Sequence, residues 1–226
     1  MKCKLSASLM GMNILRVEEQ LRVLNTRAFM NHVDIIDWHF AKNMCFSPMF
    51  VEQISKVCTI PLDIHVMVKD MELDFVETIV KSGAGVVSLH PEEISKNVFR
   101  YIDYLKSHDC KFGVVLNPAT SLDWVKAYIE QVDLMTFMGV TPGFPGQSLV
   151  PVVLKKIEEA IRMKKEKGYK YLTQIDGGCH EDTIKRICQT GIDIMIVGKT
   201  LLFGKDENLS NAWELCIKTI DACLSA

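Results

Sequence analysis

The sequence predicts an α/β chain folded as a single (β/α)8 barrel over residues 1–226, on three observations. Short apolar runs alternate with longer segments whose apolar residues recur at helical spacing. The alternation repeats eight times, roughly every 25 residues, with no linker or low-complexity stretch between units. Polar residues and glycines gather just after the apolar runs, where such a barrel carries its working groups. An open doubly wound sheet is the competing architecture, but the glycine-rich loops come late and no GxGxxG follows the first strand.

Each unit has its own grounds. Residues 4–9 are short enough for a strand, and 14–24 carry apolar residues at helical spacing. The second strand is expected over 32–37 and its helix over 46–57, with Ser47 as the cap and Pro48 at the first helical position. A strand over 62–66 leads to a helix over 73–81 that Ser82 and Gly83 stop; 86–89 and 98–105 form the fourth unit. The fifth strand, 112–116, is broken by Asn117 and Pro118 before an amphipathic segment over 122–129. Strand 134–138 precedes TPGFPGQ and a charged helix over 152–166 that ends near Gly168. The last two units pair strand 171–175 with helix 183–188, and strand 194–197 with helix 211–223.

Composition narrows the function classes. Hydrophobic residues make up 48% of the chain, enough for a sizeable core. The net charge of -2 comes from nearly balanced acids and bases without a basic stripe, so neither nucleic acid nor an anionic membrane is expected as a partner. No apolar run reaches the ~20 residues of a membrane helix. The opening MKCKLSASLMGMNIL is too short and broken an apolar run for a secretory signal. Eight scattered cysteines without a CxxC pair read as reduced thiols, which points to a cytoplasmic protein.

Polar residues at the strand ends supply the candidate chemistry. In HVDIIDWHF, alternation puts His32 and Asp34 on one face and Val33 and Ile35 on the other. Burying a carboxylate beside an imidazole is costly unless something satisfies the pair, whether ordinary hydrogen bonds, a divalent metal or a reacting substrate. The strand ends in order are Ser8, His32 with Asp34, His65 with Met67, His90, Asn117, Met138, Asp176 and Gly198. Of these, His32, Asp34, His65 and Asp176 can converge across the mouth as ligands of one divalent ion. Two imidazoles and two carboxylates suit Zn, Fe(II), Co or Mn and do not single one out. The loops Gly143-Phe144-Pro145-Gly146, Gly177-Gly178 and Gly198 follow the last three strands, where open backbone N–H groups suit a phosphate.

At this point the chain resembles a known family. SxSLM, HVDIIDWHF, PLDIHVMV, SLHPE, TPGFPGQ, QIDGGC and MIVGKTLLF fall in the order and spacing of the ribulose-phosphate 3-epimerase family, over nearly the full length. LHPE, LNPAT and FGKDENLSNAW look most like the D-allulose-6-phosphate 3-epimerase branch. The resemblance implies a metal-dependent proton exchange at carbon 3 of a phosphorylated ketose, either D-allulose 6-phosphate to D-fructose 6-phosphate or, as the alternative, ribulose 5-phosphate. It also implies that Asp34 and Asp176 act as acid and base, and that Ser8, His65, Met67 and Met138 touch the substrate. A homo-oligomer is expected on the same ground. Four positions depart from the family pattern: Ile36 replaces a Met, Trp38 a Gly, Thr141 an acidic or amide residue, and Lys199 a Ser beside the phosphate. A tryptophan at 38 is expected to crowd the entrance or fill space there, and Lys199 to add charge to the phosphate site. The departures also admit a catalytically idle sugar-phosphate-binding protein. A metal-free decarboxylase or another phosphate-binding barrel is disfavoured, because no lysine sits among the carboxylates at these strand ends.

Overall fold

A computed structural model of the chain describes residues 3–225. Eight parallel strands close into a barrel in sequence order, β1 (Lys4–Ser8), β2 (Asn31–Ile36), β3 (Leu62–Met67), β4 (Val86–Leu89), β5 (Lys111–Leu116), β6 (Leu134–Met138), β7 (Leu172–Asp176) and β8 (Ile194–Val197). Closure through β1 and β8 pairs Ala7 with Val197 and leaves no exposed sheet edge. Around the barrel run α1 (Val17–Leu24), α2 (Pro48–Ser55), α3 (Leu73–Lys81), α4 (Pro91–Ile94), α5 (Val98–Ser107), α6 (Val152–Lys167), α7 (Ile184–Gln189) and α8 (Leu209–Ser225). None of the described helices is long and apolar enough to cross a membrane.

Strand alternation divides the interior into two regions. Side chains such as Val33, Ile35, Ile64, Val66, Val114, Phe137 and Ile175 point outward and pack with the inner helix faces into one large apolar core. Burying each such side chain contributes about 1.5–3 kcal/mol. The inward set is layered. Its base is apolar, with Met30, Val86, Leu134 and Ile194 in contact. Above it lie the buried polar residues Ser6, His32, Asp63, Ser88, Thr136 and Gln174.

Several elements differ from the sequence expectation for local reasons. Residues 122–129 do not form a helix; two 3-10 turns, Leu122–Val125 and Ile129–Gln131, bury Leu122, Val125 and Ile129 within too few residues for a full helical turn to propagate. LHPE adds the short helix α4, with Pro91 in its first turn. The second strand starts and ends one residue earlier than expected, and Asp37 caps the loop instead, accepting from the backbone N–H of His39, Phe40 and Lys69. Ser47 stands at the start of α2 in an extended conformation, but its hydroxyl makes no capping bond. Gly168 ends α6 in the left-handed conformation (φ 73°).

Candidate active site

The mouth at the carboxyl ends of the strands opens into a cavity lined by Ser8, Asp34, Met67, Met138 and Asp176 among others. His32, Asp34, His65 and Asp176 meet there, each offering one donor atom, and these atoms lie within 4.8 Å of one another. The pairing of β2 with β3 sets Asp34 beside His65 and His32 beside Asp63. Asp34 Oδ1 lies 3.2 Å from His65 Nδ1 and 3.4 Å from His32 Nε2. Asp176 reaches in from the end of β7, with Oδ2 3.8 Å from both His32 Nε2 and His65 Nδ1.

Each imidazole is gripped from behind. Asp63, fully buried, takes His32 Nδ1 at 2.7 Å and also accepts from Ser88 Oγ (2.6 Å) and Gln174 Nε2 (2.8 Å). That leaves His32 Nε2, a buried atom with no hydrogen-bond partner, aimed at Asp34 and Asp176. An unpartnered imidazole nitrogen facing two carboxylates fits a divalent cation, which such N and O donors hold as bound. His65 uses the other nitrogen: Nδ1 faces the cluster, and Nε2 lies 2.9 Å from Nε2 of buried His90. Ser8 Oγ donates to the second oxygen of Asp34 at 3.2 Å.

Charge in this enclosure is unevenly shared. Burial works against a charged His32, but the Asp34 and Asp63 carboxylates outweigh it and raise its pKa well above 6.5. Burial likewise opposes ionisation of Asp34, yet the two imidazoles hold it below the usual carboxylate range. Asp63 is lowered despite burial by His32, Ser88 and Gln174. Asp176 is raised, by burial and by the neighbouring carboxylates, against the pull of His32. His90 is pushed well below 6.5 by burial and by His65.

The remaining sequence-predicted residues fall around this cluster. Ser8, Met67, Met138, Gly143, Phe144, Pro145, Gly146, Gly177, Gly178, Gly198 and Lys199 all line the cavity. Gly177 and Gly178 adopt left-handed backbone (φ 80° and 70°), and a Cβ on Gly178 would sit 2.9 Å from the Leu149 Cα. Ile36 lines the cavity, whereas Trp38 is half exposed with Lys42 Nζ over its ring, 5.6 Å from the centroid, and is not part of the wall. Of the two expectations for Trp38, filling space in the cavity is not met.

Sequence reasoning passed over Asp63, Ser88 and Gln174, and gave His90 no role. Their signal was present: each lies two residues before a strand-end residue already singled out or is itself one, and a strand's alternation puts both on one face. Met10, in the 3-10 turn Leu9–Gly11, and His180, in a loop, also line the cavity and carry no periodic signal. Met10 brings a thioether to the same mouth as Met67 and Met138.

Comparison with known proteins follows the same lines. The profile of the "Ribulose-phosphate 3 epimerase family" matches residues 4–202. The chain is 34% identical to ribulose-phosphate 3-epimerase 1 of Cupriavidus necator, over 90% of this chain and 86% of that protein. It is 32% identical to ribulose-phosphate 3-epimerase of Escherichia coli K12, over 81% of each. Among solved structures, KGPDC from Streptococcus mutans superposes with a TM-score of 0.72 at 13% identity over 99% of both chains. A mutant tryptophan synthase α-subunit from Pyrococcus furiosus gives 0.68 at 12% over 100% of both. At such identities these two share the barrel alone.

Proposed function

The chain belongs to the ribulose-phosphate 3-epimerase family, and from that premise we propose that it inverts carbon 3 of a phosphorylated ketose, with Asp34 and Asp176 as its two proton-transferring groups. The observation that carries this reading is the convergence of two carboxylates and two imidazoles from β2, β3 and β7 within 4.8 Å. A proton beside a carbonyl is too weakly acidic for a carboxylate to remove unaided. His32, Asp34, His65 and Asp176 would hold a divalent ion, which when bound would supply the positive charge that makes such a proton more acidic.

The protein's own groups do the rest. Asp34, oriented by the Ser8 hydroxyl, takes the proton from one face of the ketose. Asp176, on a strand across the barrel, returns a proton to the other face, and two carboxylates instead of one make the outcome an inversion. Met67 and Met138 pack a planar intermediate without offering a proton, and Met10 adds a further thioether to the same wall. The Gly143–Gly146 loop, Gly177, Gly178 and Gly198 present backbone to the phosphate, with the Lys199 ammonium beside them. The eight free cysteines support a reducing, cytoplasmic setting.

Two substrates compete. The names of the relatives favour a ribulose phosphate, taken as ribulose 5-phosphate, while LHPE, LNPAT and FGKDENLSNAW favour D-allulose 6-phosphate. Incubation of each in deuterated water decides both the chemistry and the preference. Deuterium is expected at carbon 3, and the substrate with the higher kcat/KM is the physiological class. Absence of wash-in from both sugars eliminates the epimerase reading.

A further inference from the structure

The two histidines of the cluster are held by different partners. His32 gives its Nδ1 to the carboxylate of Asp63 at 2.7 Å. His65 turns Nδ1 to the cluster and sets Nε2 2.9 Å from Nε2 of His90. Two lone pairs cannot face each other at that distance, so one ring donates an N–H to the other. The donor is decided further out. His90 Nδ1 lies 4.0 Å from Glu92 Oε2, and both atoms are buried without a hydrogen-bond partner among the described residues. Glu92 is pinned in place, since its other oxygen accepts from Asn117 Nδ2 at 3.1 Å and from the Thr120 hydroxyl. Were His90 the donor, its bare Nδ1 would confront a carboxylate. With His65 as donor, His90 instead turns an N–H toward that negative charge, and the bare Nδ1 of His65, 3.2 Å from Asp34 Oδ1, is the lone pair that a divalent ion would take.

We propose that His90, backed by Glu92, is a positioning residue that selects the Nε2–H tautomer of His65 and so leaves the Nδ1 lone pair free toward Asp34 and Asp176. The assignment rests on the reading that His32, Asp34, His65 and Asp176 hold a divalent ion. It makes the buried line His65–His90–Glu92 the counterpart of His32–Asp63, with a neutral ring in place of a carboxylate as the immediate partner. Phe40, whose ring centroid is 4.8 Å from that of His90, closes the line on one side.

The test uses the full chain with Zn2+ alone as the probe. The dissociation constant is measured by competition with a chelator, and the ring 15N shifts of His65 are recorded in the loaded protein. A proton on Nε2 with a zinc-bound Nδ1 is expected. His90→Phe, which keeps a flat aromatic ring but not the acceptor, is expected to weaken Zn2+ binding by about 10–100-fold. His90→Gln, whose amide oxygen can accept the same N–H, is expected to recover most of that loss. A His65 proton on Nδ1 in the loaded protein overturns the proposal, as does a folded His90→Phe that binds Zn2+ within about twofold of the unaltered chain. Should His90→Phe fail to fold, the shifts of the unaltered protein decide alone. Failure of the unaltered chain to bind Zn2+ overturns the metal reading and this proposal together, whereas normal Zn2+ binding with the wrong tautomer overturns this proposal only.

Discussion

Across β2 to β4 the mouth of the barrel is built from side chains, His32, Asp34, His65 and His90 with Asp63 beneath them, whereas across β6 to β8 it is built largely from glycine backbone. In the first region every group is held by another, and buried charge is tolerated because Asp63 alone accepts three hydrogen bonds. In the second, room is what matters. Gly177 and Gly178 exist to let the chain turn tightly and to keep side chains out of the cavity. On the proposed reading, the contrast teaches that one mouth meets two demands: fixed donors for charge and proton transfer on one side, open backbone for an anion on the other.

The largest expected effect breaks the side-chain region. Asp34→Asn and Asp176→Asn should each lower turnover by about 10⁴-fold, the upper end of what a general base contributes. Carbon-3 exchange in deuterated water measures it, and a near-normal rate in either variant removes that residue from the acid–base pair. Gly178→Ala attacks the other region. A Cβ there enters left-handed backbone at about 1–2 kcal/mol and meets Leu149 2.9 Å away, so the melting temperature should fall and KM should rise more than kcat changes. An unaltered KM would mean that this loop does not contact the substrate.

Asp63→Asn sharpens the comparison further, because it touches no substrate. Removing the charge behind His32 should weaken divalent-ion binding by about 10–100-fold while leaving sugar-phosphate KM at saturating metal nearly constant. Titration with and without a chelator reads this directly. The smallest effect is a pH slope. His32 in the cation-free protein has a pKa raised from 6.5, so its contribution to stability is complete below about 6.5 and is lost as pH rises through its folded-state value. Asp176, raised from 3.8, also favours lower pH, while Asp34 and Asp63, lowered, lose their contribution only as pH falls below the ordinary carboxylate range. Chelated protein should therefore melt at a lower temperature as pH climbs above 6.5. Zn2+ should flatten that slope by replacing the proton on the cluster. A melting temperature independent of pH in the chelated protein would contradict the buried charge pairing.

Much of the fold was legible because local pattern and tertiary demand agree. All eight strands fall within a residue or two of their expected places, as their apolar runs are short and bounded by turn residues. The segment at 122–129 was the exception, where apolar spacing suited a helix but the connection back to β6 left only 3-10 turns. Within the site, the four clustered donors sit on strands, whose period of two makes them readable. Met10 sits on a three-residue 3-10 turn and His180 on a loop, whose direction no period reports.

Alternation along each strand, together with turn chemistry between them, is written residue by residue, and so the order of elements, the inward face of His32, Asp34 and His65, and the glycine positions all follow from the chain read end to end. What the linear order leaves open is which distant groups become neighbours. Only barrel closure and strand register set His65 Nε2 against His90, sink Asp63 beneath His32, and leave Trp38 out of the cavity wall. The physical reason is that these contacts depend on the stagger of separate strands and on the packing of loops, which are long-range properties that no single segment encodes.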